Sequence, residues 1–192
     1  MDEDITRMLL GGKRLRGALV LLAFDTLSDD QERRKTALDL AAVVELTHSI
    51  SLILDDIIDE DVVRRGESAL HVNNGEKLAF LKMVDCIALP YRIAAGYGGD
   101  LVEQLATTHR QMVRGVREEA TRSVNPTPER YERIISLKTG ALFGLAARYG
   151  AFAADADSDV LEAMSEFGMW TGRAMQIADD VADLRLALEG GS

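Results

Sequence analysis

The chain has 192 residues, 47% of them hydrophobic, with three prolines and a single cysteine. That length suits one domain with a proper core, the composition excludes a disordered chain, and the lone cysteine excludes an internal disulfide framework and fits a reducing compartment. Lys and Arg number 22 against 32 Asp and Glu, so the formal charge of −10 speaks against nucleic-acid binding and requires any anionic ligand to be met by a local basic cluster or by metal ions.

The helical period dominates, and no alternating strand pattern of useful length occurs. Residues 15–27 (LRGALVLLAFDTL) read as an apolar helix. Residues 32–58 read as a long one. Its segment DLAAVVELTHSISLILDDII (39–58) is almost wholly apolar before the acids, which predicts a central, largely buried position. A loop follows through Arg64-Arg65-Gly66. Helices over 75–89 and 99–122 come next, separated by Pro90 and the Gly96–Gly99 region. Asn125-Pro126-Thr127-Pro128-Glu129 marks a boundary, after which Thr127 and Pro128 can start a helix over 128–153. Asp155, Asp157 and Ser158 form a loop, and residues 158–188 make one or two final helices.

No repeat or low-complexity tract interrupts this order, so residues 1–192 are read as a single-domain, all-α helical bundle. Cys86, Met112, Met164, Met169, Met175 and Trp170 are expected in the core. Residues 1–4 carry no basic signal region, and the purely apolar runs are too short to span a bilayer. The expectation is a cytoplasmic protein without stable membrane insertion.

Chemistry concentrates in two acidic clusters. Residues 52–61 read LILDDIIDED. Asp55 and Asp59 are four apart, about 40° around a helix and about 6 Å along it, with Asp56 on the adjoining face. Residues 172–183 read GRAMQIADDVAD, where Asp179, Asp180 and Asp183 repeat the spacing. Each cluster ends an apolar helix, so its carboxylates sit at the mouth of a core. Unpaired carboxylates there are costly, and a hard divalent cation resolves the cost. Magnesium suits best, because it accepts a few carboxylates together with water and phosphate oxygens. Basic residues accompany the acids: Lys13 and Arg16 in GGKRLRG (11–17), Arg64-Arg65, and Lys138. An arginine fork matches phosphate oxygens, so a diphosphate site is expected.

GGKRLRG (11–17), HSISLILDDIIDEDVVRRG (48–66), KTG (138–140) and GRAMQIADDVAD (172–183) occur in the order and spacing of the polyprenyl synthase family, which the chain resembles over almost its whole length. The resemblance implies an isoprenoid-synthase bundle and a trans-isoprenyl diphosphate synthase. Such an enzyme condenses isopentenyl diphosphate with an allylic diphosphate, dimethylallyl, geranyl or farnesyl. It implies Mg2+ as cofactor, with Asp55, Asp59 and Asp179 as principal ligands and Asp56, Asp180 and Asp183 in support. Lys13, Arg16, His48 and Arg65 match binders of isopentenyl diphosphate. Arg64 matches a ligand of the allylic diphosphate, and Lys138, Thr139 and Gln176 line the allylic site. Family members usually carry further helices before Gly11 and after Asp183, so residues 1–192 are expected to lack those N-terminal and C-terminal helices. A homodimer is expected.

Two other readings stay open, a non-catalytic partner subunit of a heteromeric prenyl synthase and a class I terpene synthase. Ser51 and Ile50, four and five residues before Asp55, are not aromatic, so the resemblance implies a deep tunnel and a product of C20 or longer.

Overall fold

The computed structural model describes residue 6 and residues 11–121 and 127–189. The Asn125-Pro126 boundary lies outside the described residues. In chain order the helices are α1 (Leu15–Leu27), α2 (Arg33–Ile58), α3 (Leu70–Asn74), α4 (Glu76–Ala95), α5 (Gly99–Ala120), α6 (Pro128–Ile135), α7 (Ala141–Ala153) and α8 (Ser158–Glu189). They form an all-helical bundle, as the periodicity predicts. A two-residue-per-strand hairpin, β1 (Val63–Arg64) and β2 (Glu67–Ser68), joins α2 to α3.

α2 and α7 carry the core. α2 buries Leu40, Val43, Val44, Ile50 and Ile53 against α1, α4 and α7. α7 is enclosed more completely, with Leu142, Phe143, Leu145, Tyr149 and its small residues all buried. Tyr149 keeps its polar end satisfied there by donating its hydroxyl to the Leu101 carbonyl at 2.6 Å. α7 lies between α1 on one side and α8 on the other.

The contact between α7 and α8 depends on glycine. A Cβ on Gly168 would stand 2.3 Å from the Phe143 carbonyl oxygen, and one on Gly172 would stand 2.9 Å from the Gly140 Cα. The two backbones therefore approach more closely than any side chain would permit.

Several boundaries differ from the sequence expectation. α4 runs through Pro90 to Ala95 instead of ending before it. Pro90 removes one backbone hydrogen bond. It also belongs to the buried stripe Ala79, Met83, Cys86, Pro90 and Ala94, whose packing holds the helix on both sides. The helix expected over 128–153 is interrupted by a π-helical turn, Ser136–Gly140, between α6 and α7. Residues 158–189 make one helix. Trp170 is not a core residue: it is 56% exposed, and the Arg173 guanidinium lies 4.3 Å from its ring centre. Gly168 and Gly172 are the buried residues of α8 here, and Trp170, between them in sequence, is left outside. By length and composition α2 is apolar enough to cross a bilayer, and half of that stretch is buried inside the bundle.

Substituting Gly168→Ala should push α8 away from Phe143 and destabilise the fold by about 1–3 kcal/mol, the usual range for overpacking. Urea denaturation of the variant beside the wild type would read this directly, and an unchanged midpoint would contradict the packing described.

Candidate active site

α2 ends at Ile58 with Asp59 as its cap, so its acids are the last turn of an otherwise apolar helix. Helix rotation sends successive residues about 100° apart, and Asp55 and Asp56 accordingly face different spaces. Asp55 lines a cavity of about 240 Å³ together with Arg16, His48, Lys138, Thr139 and Gln176. Asp56 is buried on the far side, where it takes an ion pair and hydrogen bond from Arg64. Arg64 also reaches Asp61 at 2.8 Å. The buried position of Asp56 requires such a partner. Asp59 is exposed.

Arg16 places both acidic clusters around one space. Burial lowers its pKa to about 10, while Glu45, Asp179 and Asp55 act in the opposite sense. The Arg16 guanidinium is thus within electrostatic range of Asp55 on α2 and of Asp179 on α8. Its Nε is buried without a hydrogen-bond partner, and its charge lies 4.7 Å from the Phe143 ring centre. Glu45 is held in place by accepting the Gly17 backbone N–H at 2.7 Å. Lys13 is exposed just ahead of α1.

Arg65 approaches from the hairpin. Arg65 (φ 55°) and Gly66 (φ 81°) occupy the left-handed region, the pair of positive φ values that a type I′ turn needs. The Arg65 guanidinium lies against Gly12, whose φ of 96° and lack of a side chain admit it; a Cβ there would meet it at 2.6 Å. Gly11, Asp56, Arg64 and Arg65 share a second cavity, of about 180 Å³, on this side of α2.

The π turn presents Lys138 and Thr139. Such turns shift the register of a helix and recur at functional sites. Burial works against the Lys138 ammonium, but a hydrogen bond to Glu119 and the charges of Asp55 and Asp59 raise its pKa above the ordinary lysine value. Thr139 donates its hydroxyl to Gln176 Oε1 at 2.7 Å, and Gln176 Nε2 donates to Asp180 Oδ1 at 2.8 Å. Tyr131 donates to Asp180 Oδ2 at 2.5 Å. Burial, followed by this bond, pushes the Tyr131 pKa up to about 12, so it stays a donor. Asp179 and Asp183 are exposed.

Burial raises the Asp55 pKa; Lys138 opposes the rise, and Asp59 and Glu119 add to it. Among the described residues no three His, Cys, Asp or Glu side chains converge closely enough to enclose an ion. The acids therefore form no closed protein cage among the described residues. Glu119, Tyr131 and His109 were not among the residues predicted for the site. Glu119 and Tyr131 flank its mouth, and His109 lines the cavity. None carries a spacing signal: His109 and Glu119 lie ten residues apart on α5, and Tyr131 comes from α6.

The polyprenyl synthetase sequence profile matches residues 2–189. The nonaprenyl diphosphate synthase of Mycobacterium tuberculosis is 34% identical over 190 residues, 95% of this chain and 56% of that protein. The geranylgeranyl diphosphate synthase of Methanosarcina mazei is 33% identical over 184 residues, 91% of this chain and 55% of that one. The polyprenyl synthase of Caulobacter crescentus, solved with calcium and isoprenyl diphosphate, superposes with a TM-score of 0.82 at 31% identity, covering 88% of this chain and 52% of its own. The chain thus spans a little over half the length of the curated relatives it matches.

His48 offers a test in acid. Burial lowers its pKa from 6.5 to about 3, and the nearby charges of Arg16, Arg65 and Arg64 act in the same direction. Between those values the unfolded chain takes a proton that the folded chain refuses, so stability falls as pH falls through that window. The slope is at most about 1.4 kcal/mol per pH unit. His48→Gln should lose this component, and urea midpoints at pH 7 and pH 4.5 should differ less than in the wild type. Equal pH dependence in the two proteins would show that His48 is not held neutral.

Proposed function

Because the chain belongs to the polyprenyl synthetase family, we propose that it carries the active-site face of a prenyltransferase joining isopentenyl diphosphate to an allylic diphosphate. One observation carries the reading: Arg16, partly buried, lies within the field of both acidic clusters at the head of an apolar cavity. A cation so placed, between two sets of carboxylates, matches a diphosphate bound together with metal ions.

Arg16 and Lys138 would receive diphosphate oxygens, with Lys13 and Arg65 adding charge from the chain's basic segments. His48 contributes as a neutral imidazole N–H and not as a cation, given its pKa of about 3. Arg64 is occupied by Asp56 and Asp61. It serves the allylic diphosphate only by releasing one of them. Mg2+ held by Asp55, Asp59 and Asp179 would supply charge neutralisation to the departing diphosphate. With that charge balanced, the allylic C–O bond breaks and leaves an allylic cation. The oxygens of Thr139 and Gln176 lie on the cavity wall beside it. The isopentenyl double bond attacks the cation, and the proton released goes to the diphosphate. The apolar walls exclude water that would quench the cation.

The cavity also bears on product length. Ile50 and Ser51 both line it, one turn below Asp55. Its far wall includes Ile87, His109 and Val113, which also face an outer groove of about 700 Å³. No aromatic residue on α2 blocks the path, which supports a product of C20 or longer. We further read the protein as a cytoplasmic homodimer.

The founding experiment incubates the protein with isopentenyl diphosphate, each allylic diphosphate and Mg2+, and sizes the products by chromatography. Asp55→Ala and Asp179→Ala should each abolish turnover while leaving the circular dichroism spectrum helical. Near wild-type rates in either variant at saturating Mg2+ would refute the two-cluster mechanism. Ile50→Phe should shorten the product, because a ring there fills volume that the growing chain needs. A wild-type product that stops at C15 with every primer would contradict the tunnel reading.

A further inference from the structure

We propose that Tyr131 is a positioning residue for the second acidic cluster, holding Asp180 and through it Gln176 and Thr139. This rests on the prenyltransferase reading above. Its basis is a continuous hydrogen-bonded chain from α6 through α8 to the π turn. Tyr131 on α6 donates to Asp180 Oδ2 at 2.5 Å, and Gln176 donates to Asp180 Oδ1 at 2.8 Å. Thr139 donates to Gln176 Oε1 at 2.7 Å.

The direction of this chain is forced by its members. An ionised carboxylate only accepts. Asp180 therefore draws the NH2 side of the Gln176 amide towards itself. That leaves Oε1 facing Thr139, so Thr139 must spend its proton on Gln176. The remaining lone pairs of Thr139 are then free on the cavity wall. If Asp180 turned away, the amide could reverse and Thr139 could reorient with it.

Tyr131 closes the chain at its outer end. With both oxygens of Asp180 taken by neutral donors, that carboxylate is not available as a freely rotating ligand. Asp179 lies about 100° round the helix from it, and Asp183 follows Asp179 by one turn. The cluster therefore divides into one anchored acid and two exposed ones. Asp180, given a supporting metal role by the family resemblance, becomes part of the anchor. Tyr131 is only partly exposed, 38%, although its helix is amphipathic and short. A surface tyrosine with no such task would turn its hydroxyl to water.

Tyr131→Phe removes only the hydroxyl and should leave the unfolding midpoint close to that of the wild type. Binding of Mg2+ with inorganic pyrophosphate, measured by calorimetry, should weaken three- to tenfold. Asp180→Asn should weaken it similarly. The double variant should be no worse than the weaker single one, because residues acting through one bond are not additive. In the metal-free protein the side-chain amide protons of Gln176, assigned by their loss in Gln176→Glu, should shift in Tyr131→Phe. Unchanged pyrophosphate binding and an unmoved Gln176 signal would overturn the inference while leaving the prenyltransferase reading intact. Multiplying losses in the double variant would overturn it too, since the two groups would then act separately. A wild-type protein that binds no Mg2+ and pyrophosphate would refute both.

Discussion

The close approach of α7 and α8 is the constraint on which the site depends. Phe143 and Gly168 meet backbone to backbone, and Gly172 lies against Gly140. Any larger residue would separate the helices. The π turn is continuous with α7, so this contact also sets the height of Thr139 relative to Gln176. The 2.7 Å bond between them is a consequence of the glycine packing several residues further along. The second acidic cluster is then brought to the cavity by the rigid length of α8 and not by any loop.

Charge is distributed by helix rotation. The adjacent acids Asp55 and Asp56 separate onto two sides of α2. Asp55 keeps an unrelieved carboxylate at the cavity, where burial already penalises its charge. Asp56 is neutralised by Arg64, which fastens the hairpin to the helix. Arg65, next in sequence, is turned the other way by its positive φ and packs on the Gly11-Gly12 backbone. Two adjacent acids and two adjacent arginines thus yield one ion pair, Asp56 with Arg64, while Asp55 and Arg65 line separate cavities. The same division recurs in α8, where Asp180 is bonded on both oxygens while Asp179 and Asp183 face solvent.

The cavity's interior is apolar. Ile50, Met83, Ile87, Met112 and Val113 wall the cavity below the charged mouth. Polar groups at depth are few. Burial lowers the His109 pKa, and its ring contacts the Tyr91 hydroxyl at 3.2 Å. The lining thus sets charged groups around Asp55 against an apolar remainder.

The sequence by itself determined the helical class, the two acidic clusters and the basic segments, because these are local patterns. A run of apolar residues at helical spacing needs no partner to be recognised, and neither does a pair of acids four residues apart. Tertiary structure alone decided which of the acids face the cavity and which are tied off. It decided that His48 is neutral, since its shift arises from burial and from arginines brought in by the fold. It carried α4 through Pro90, because the buried stripe outweighs one lost hydrogen bond. It opened the π turn that carries Lys138 and Thr139, and it brought Glu119 and Tyr131 to the mouth from the solvent-facing sides of two amphipathic helices. The contacts that hold Glu119 and Tyr131 there join residues 19 and 49 positions apart, and no local pattern along the chain records them.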